Sequence, residues 1–235
     1  MAERQPNAQY NVAKPDSLAV AIAGYQRRFM YDRFLKEMQV DERQTLLDVG
    51  VTSDRSYASS NYLEAWYPHK SSITAIGIDD ASFLKEEYPG LRFLRASGLL
   101  LPFRNCAFDI VHSSAVLEHV GSLENQIMFV SECCRVARNA IFMTTPNRWF
   151  PVEFHTILPL VHWLPKPIFR YLMLKFRRGF FAEERNLNLL DARELRGIAN
   201  RIQDFQFDIS SISLCGWPSN LLLIGRRRAS YNDLE

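Results

Sequence analysis

The feature that most constrains this chain is an alternation running from residue 45 to residue 145. Short apolar runs ending in a glycine, an acid or a hydroxyl residue are separated by stretches with helical spacing. The runs are 45–50 (TLLDVG), 73–79 (ITAIGID), 91–95 (LRFLR), 108–113 (FDIVHS) and 140–145 (AIFMTT), the last stopped by Pro146. Helices are predicted between them at 61–67, 82–88 and 122–137; in the last, Ile127, Val130, Cys134 and Ala137 share one face. Strand–helix–strand alternation predicts parallel strands joined by right-handed crossovers, and near-continuous apolar strands suit a sheet covered on both faces.

The flanks fit one such unit. Residues 1–16 are polar, carry Pro6 and Pro15, and read as an arm or lid; Asp16 or Ser17 is placed to cap a helix running to about Met38. Residues 147–182 form a Pro- and aromatic-rich insert. The domain resumes at Asp191, where D-A-R-E is a capping-box pattern, and strands are predicted at 205–214 and 221–225 with a turn at Gly216-Trp217-Pro218. A length of 235 residues fits a single domain.

Composition narrows the function classes. A formal net charge of +2 provides no field for nucleic acid, and the basic run Arg226 to Arg228 reads as the solvated end of a strand. No apolar run reaches the roughly 18 residues that span a bilayer, and none at the start resembles a signal peptide. Cys106, Cys133, Cys134 and Cys215 show no C-x-x-C pair, which points to a reducing, cytoplasmic setting. The five histidines form no ligand motif, so no metal site is expected. No feature sets the oligomeric state. Residues 166–178 mix apolar and basic side chains; a surface helix with one core face is favoured there over a peripheral membrane contact.

In doubly wound sheets ligands bind beyond the carboxyl ends of the strands, so the residues just past each strand carry the chemistry. These are Gly50 to Arg55 after the first, Asp79 at the end of the second, Ser97-Gly98 after the third, and Ser113-Ser114 with Val116 to His119 after the fourth. Glycine allows a close backbone approach, and a strand-end carboxylate can accept from ribose hydroxyls.

These motifs, in this order, resemble the class I S-adenosylmethionine (SAM)-dependent methyltransferases, in particular the broad small-molecule group called type 11. Asp48-Val49-Gly50 is similar to the family's first motif, Gly77-Ile78-Asp79 to its second strand end, Leu101-Pro102-Phe103 with Ala107-Phe108-Asp109 to the segment before strand four, and Val116 to Val120 (VLEHV) to the one after it. The resemblance spans roughly residues 43 to 145. It implies a Rossmann-like, mostly parallel seven-stranded sheet with helices on both faces, and SAM as cofactor. It also implies that Asp48, Gly50 and Thr52 lie near the methionyl and ribose parts, that Asp79 holds the ribose, that Ser97 and Gly98 flank the adenine, and that Ser114 lies under the sulfonium. Two glycines usual in the family's first turn are Thr52 and Asp54 here; Arg55 is placed to pair with the cofactor carboxylate.

Methyl transfer demands alignment more than a strong catalyst, with a base where the acceptor must lose a proton. His119, His155 and Glu153 are the candidates. Tyr10, Tyr25, Asn147, Trp149 and Phe154 are expected to line a pocket for a small-molecule acceptor. Two other readings stand beside a small-molecule methyltransferase of secondary metabolism. One is an enzyme that releases methylthioadenosine and closes the SAM tail to azetidine-2-carboxylate. The other is a non-catalytic SAM-binding partner. A nicotinamide dehydrogenase is disfavoured because G-x-G-x-x-G is lacking after the first strand.

Overall fold

The structure is a computed structural model that describes residues 17–55 and 59–229. Ser17 accepts the Val20 N–H at its side chain and starts α1 (Leu18–Met38). The buried residues Met30, Tyr31, Phe34 and Met38 recur at helical spacing and face the sheet. The strands and helices that follow are β1 (Leu46–Val49), α2 (Tyr62–Trp66), β2 (Ile73–Gly77), α3 (Leu84–Glu87), β3 (Arg92–Arg95), β4 (Phe108–Ser114), α4 (Leu123–Val136) and β5 (Ala137–Pro146). The insert holds a two-stranded ribbon, β6 (Val152–Glu153) and β7 (Leu158–Pro159), and then α5 (Lys166–Lys175). The chain closes with α6 (Ala192–Ala199), β8 (Phe205–Leu214) and β9 (Trp217–Arg227).

Seven strands form one sheet in the order β3-β2-β1-β4-β5-β9-β8. The five from β3 to β5 are parallel, and β9 runs antiparallel to both of its neighbours. Two apolar layers cover it. Leu47 and Val49 of β1 pack with α4 and α6; Leu46, one residue out of phase, packs with α1, α2 and α3. A third cluster, around Phe169, Met173 and Phe181, holds α5 and the rest of the insert together.

The predicted elements are present with shifted ends. The closing hairpin turns at Cys215 and Gly216, both at positive φ (51° and 80°), so β9 begins at Trp217 rather than Leu221. Paired positive φ values match the twist of a tight hairpin, whereas proline at 218 only marks the strand's edge. β5 begins at Ala137 rather than Ala140, with no loop after α4, because Arg227 donates to the carbonyls of Cys134 and Ala137 at 2.7 Å each. The arginine thus satisfies acceptors that the helix end leaves open, and Arg226 pairs with Glu37. Arg226 and Arg228 remain exposed, so the basic run is a solvated strand end in which Arg227 and Arg226 also act as clamps. Among the described residues no helix is long and apolar enough to cross a membrane.

Phe34 is fully buried, edge-on to His112 at 5.2 Å and to Phe142 at 5.4 Å, and so fastens α1 to β4 and β5. Phe34→Ala is expected to lower unfolding free energy by about 3–5 kcal/mol, read from urea midpoints. A loss below about 1 kcal/mol would show that α1 is not part of the cooperative unit.

Candidate functional site

The strand order reverses at β1, whose two neighbours, β2 and β4, leave in opposite directions along the sheet. Beyond the carboxyl ends of these strands lies a cleft of about 320 Å³. Gly50 makes its floor possible: its φ is +104°, and a Cβ there would meet Val116 Cγ2 at 2.2 Å. The N–H groups of Gly50 and Val51 both donate to Ile76 O, turning the chain back across β2. Gly98 is required by packing, since a Cβ would meet the Phe129 ring at 2.4 Å. Phe129 and the exposed Ile78 give the cleft apolar walls, and Ser97, Ser114 and Thr52 give it hydroxyls.

The loop that lacks the family's glycines is held another way. Thr52 N–H donates to Asn61 Oδ1 at 2.9 Å, and Asn61 Nδ2 donates back to Thr52 O at 3.0 Å. The Asp54 N–H donates to Thr52 Oγ1 at 3.0 Å. A side-chain amide at the start of α2 thus fixes a turn that glycine would otherwise allow.

Of the predicted site residues, Gly50, Thr52, Ser97, Gly98, Ser114, His119 and His155 line the cleft. Glu153 stands behind His155 and accepts its Nδ1–H at 2.6 Å. Asp79 is half-buried at the rim, one residue past Ile78. Asp48 does not reach the cleft, because it points with Leu46 into the α1 layer and accepts from His112 Nδ1 at 2.7 Å. Arg55 is turned away, stacked on Phe83 and 3.9 Å from Glu87. The expected acceptor residues also lie elsewhere. Trp149 donates to Asp191, Asn147 to Pro218 O, Phe154 stacks on Phe150, and Tyr25 is exposed against Phe29. Tyr10 falls outside the described residues. The aromatic insert packs on itself and on the β8–β9 hairpin, so composition alone misplaced its rings. Arg27 was missed: it lines the cleft from α1 and donates to Ser59 Oγ at 3.0 Å. Its signal was a cation on the stripe that continues as Met30, Phe34 and Met38.

Two groups of buried ionisable side chains flank the cleft. Beneath it, Asp48 and His112 are register partners on β1 and β4. Tyr62 OH donates to His112 Nε2 at 2.8 Å, and His112 Nδ1–H donates to Asp48. Burial holds His112 down to about 4, so the ring is neutral. Burial lifts Asp48 to about 7. Burial, and then the charge on Asp48, raise Glu64 well above the carboxylate range. Both Glu64 oxygens are buried without a hydrogen-bond partner, which favours the uncharged, protonated carboxyl.

At the open end, Glu118, His119 and His155 meet, with one ligating atom from each lying within 4.8 Å of the others. His119 Nε2 and His155 Nε2 are 3.0 Å apart. No sequence motif links these histidines, which stand 36 positions apart and are brought together by the return of the insert across the cleft. Burial pushes Glu118 up to about 7. Burial and then His155 push His119 down to about 3. Burial works to raise Glu153, but the charge and hydrogen bond of His155 outweigh it and bring the carboxyl to about 2.

With this geometry established, comparison with known proteins is direct. A family model described as a methyltransferase domain matches residues 47–141. Those residues are similar to that family, and the seven-stranded sheet has the class I SAM-dependent methyltransferase fold. Solved structures share the fold. A 1,6-didemethyltoxoflavin-N1-methyltransferase from Burkholderia thailandensis, with its acceptor and S-adenosylhomocysteine bound, is 13% identical with a TM-score of 0.59, over 89% of this chain and 81% of that one. A protein from Pyrococcus horikoshii OT3 is 12% identical at 0.59, over 94% and 95%. The magnesium protoporphyrin IX methyltransferase of Synechocystis PCC 6803, with bound S-adenosylhomocysteine, is 14% identical at 0.53, over 88% and 84%. No curated protein matches the chain.

The Asp48–Glu64 pair makes a pH prediction. Its folded pKa values lie above the ordinary 3.8 of Asp48 and 4.5 of Glu64, so its contribution to stability is complete below those values and is lost as pH rises through the raised ones, about 7 for Asp48. Each retained proton then costs up to about 1.4 kcal/mol per pH unit. Glu64→Gln removes the raised carboxyl at nearly the same size. Its melting temperature relative to wild type should therefore rise between pH 5 and 7; a difference constant with pH would contradict the retained proton.

Proposed function

We propose that the protein transfers the methyl group of SAM to a small-molecule acceptor in a biosynthetic, secondary-metabolic reaction. The observation that carries this reading is the cleft at the β1/β4 switch point, apolar where Ile78, Gly98 and Phe129 meet and polar where Arg27, Thr52 and the histidines stand. Two fold neighbours are named for small-molecule methyl acceptors, which agrees with the reading. Ser97, Gly98 and Phe129 would hold the adenine, and Asp79 at the rim would hold the ribose. Gly50 and Thr52 would flank the methionyl tail, Arg27 would meet its carboxylate, and Ser114 would stand under the sulfonium that supplies the methyl group.

The reaction is an in-line displacement. The acceptor's lone pair forms the bond to the methyl carbon as the carbon–sulfur bond breaks, and sulfur keeps that pair to give S-adenosylhomocysteine. The acceptor's proton leaves at the end of the cleft where His119 and His155 stand, with Glu153 behind His155.

Calorimetry with S-adenosylhomocysteine should show one site per chain. Arg27→Ala should weaken it roughly ten- to a hundred-fold, the worth of a charge-assisted hydrogen bond, and Arg55→Ala should leave it unchanged. The reverse order would move the carboxylate to Arg55. Mass spectrometry after incubation with SAM alone should find no methylthioadenosine above a heat-killed control. Its formation would overturn the transfer reading, as would failure to bind either nucleoside.

A further inference from the structure

The cluster at the open end of the cleft is built in a way that acid–base chemistry alone does not explain. His119 Nδ1 lies 2.7 Å from Asn186 O. A carbonyl only accepts, so Nδ1 carries the hydrogen and the neutral ring turns a lone pair outward at Nε2. His155 Nδ1 is fixed in the same sense by Glu153 Oε1, which also accepts the His155 backbone N–H at 2.9 Å. The other oxygen of Glu153 accepts from Thr156 N–H at 2.6 Å. Two Nε2 atoms are therefore held 3.0 Å apart, each with its far side already donating. With an Nε2 proton on His155 this approach is a hydrogen bond to His119; without one, two lone pairs face each other.

Glu118 supplies the second, independent observation. It is completely buried, and its Oε2 accepts from Thr145 Oγ1 at 2.9 Å. Its Oε1 has no hydrogen-bond partner and faces His119 Nε2 at 3.7 Å. An acceptor oxygen left unsatisfied inside a protein costs about 1–3 kcal/mol, more when it is charged. A proton shared between the imidazoles would relieve the nitrogen pair and leave this oxygen as it is. A divalent ion satisfies all three atoms at once.

We propose that Glu118 Oε1, His119 Nε2 and His155 Nε2 bind one divalent transition-metal cation at the acceptor end of the cleft. Two imidazoles and a carboxylate suit manganese, iron, cobalt, nickel or zinc. Around an ion at about 2.1 Å, ligand atoms lie at most about 4.2 Å apart, so the Glu118 carboxylate needs a shift of about 1 Å or less to close on it. The surroundings have the form that ligating histidines need. One ring donates to a carboxylate and the other to a backbone carbonyl, which fixes tautomer and orientation, and Thr145 orients the carboxylate. Three protein ligands leave coordination positions open, as in catalytic rather than structural sites, and both histidines line the cleft.

The open positions set the acceptor class, and this part rests on the methyltransferase reading. They fit a molecule with two adjacent oxygen donors, such as a hydroxyl beside a second hydroxyl or a carbonyl. Bound to a Lewis acid, the hydroxyl gives up its proton to solvent near neutral pH, and its oxygen is held for O-methylation. Glu153 is then a positioning residue for His155 rather than the base.

The test uses tag-free, chelator-treated chain titrated with Co2+ and followed by visible absorption, with Zn2+ calorimetry beside it. The expected result is one ion per chain with a ligand-field spectrum. Affinity should fall at least a hundred-fold in Glu118→Gln and His155→Ala, and roughly ten- to a hundred-fold in Glu153→Gln. Circular dichroism and urea midpoints of the same variants establish that they fold. S-adenosylhomocysteine calorimetry on the same samples separates the two readings. Nucleoside binding without stoichiometric metal overturns the metal site alone, and metal binding without nucleoside binding overturns the methyltransferase reading alone. Metal binding undiminished in Glu118→Gln and His155→Ala would also overturn this site.

Discussion

The structure turns on the parallel pairing of β1 with β4. β1 is four residues long and is flanked on both sides, and its two crossovers leave in opposite directions. Only where they diverge does a space open at the strand ends that neither helix layer fills. The pairing is pinned at its start, where the Thr45 N–H and hydroxyl both donate to Asp109 Oδ2, at 2.8 and 2.7 Å. It is tied in its middle by the Asp48–His112 bond. Near its end, Ser113 Oγ donates to Val49 O at 2.8 Å. A slip of one residue would turn Leu47 and Val49 out of one layer and Asp48 into it.

The position of Asp48 follows from this constraint. A carboxylate in the middle of a short buried strand would ordinarily be placed there at a severe penalty. Here it accepts from a neutral histidine, and burial raises both its own carboxyl and that of Glu64, so the pair carries less charge than its sequence suggests. The open-end cluster is a different solution to the same problem. There burial leaves one carboxylate oxygen of Glu118 unsatisfied beside two imidazoles whose Nε2 atoms lie 3.0 Å apart.

The sheet was legible in the sequence because its signal is local. Each strand is a short apolar run, and each strand end carries the glycine or hydroxyl residue that the cleft then uses. Gly50, Ser97, Gly98 and Ser114 fall where strand-end logic puts them. The errors are all long-range. Arg55 was closest in sequence to the turn, but Phe83 and Glu87 hold it away, while Arg27 reaches the cleft from a helix that precedes the sheet. Trp149 and Phe154 have the composition of a ligand pocket but satisfy their indole and ring contacts within the insert and its neighbours. Neither the Asn61 clamp nor the meeting of His119 with His155 has any spacing signature, since each depends on where a loop returns in space.

The measurement that bears most directly on this account is a crystal structure of the chain soaked with S-adenosylhomocysteine. The account predicts the adenine against Gly98 and Phe129, the amino acid carboxylate beside Arg27, and the thioether sulfur on the side of the cleft that holds His119 and His155. A nucleoside bound elsewhere, or in the cleft with its sulfur turned away from the two histidines, would contradict it.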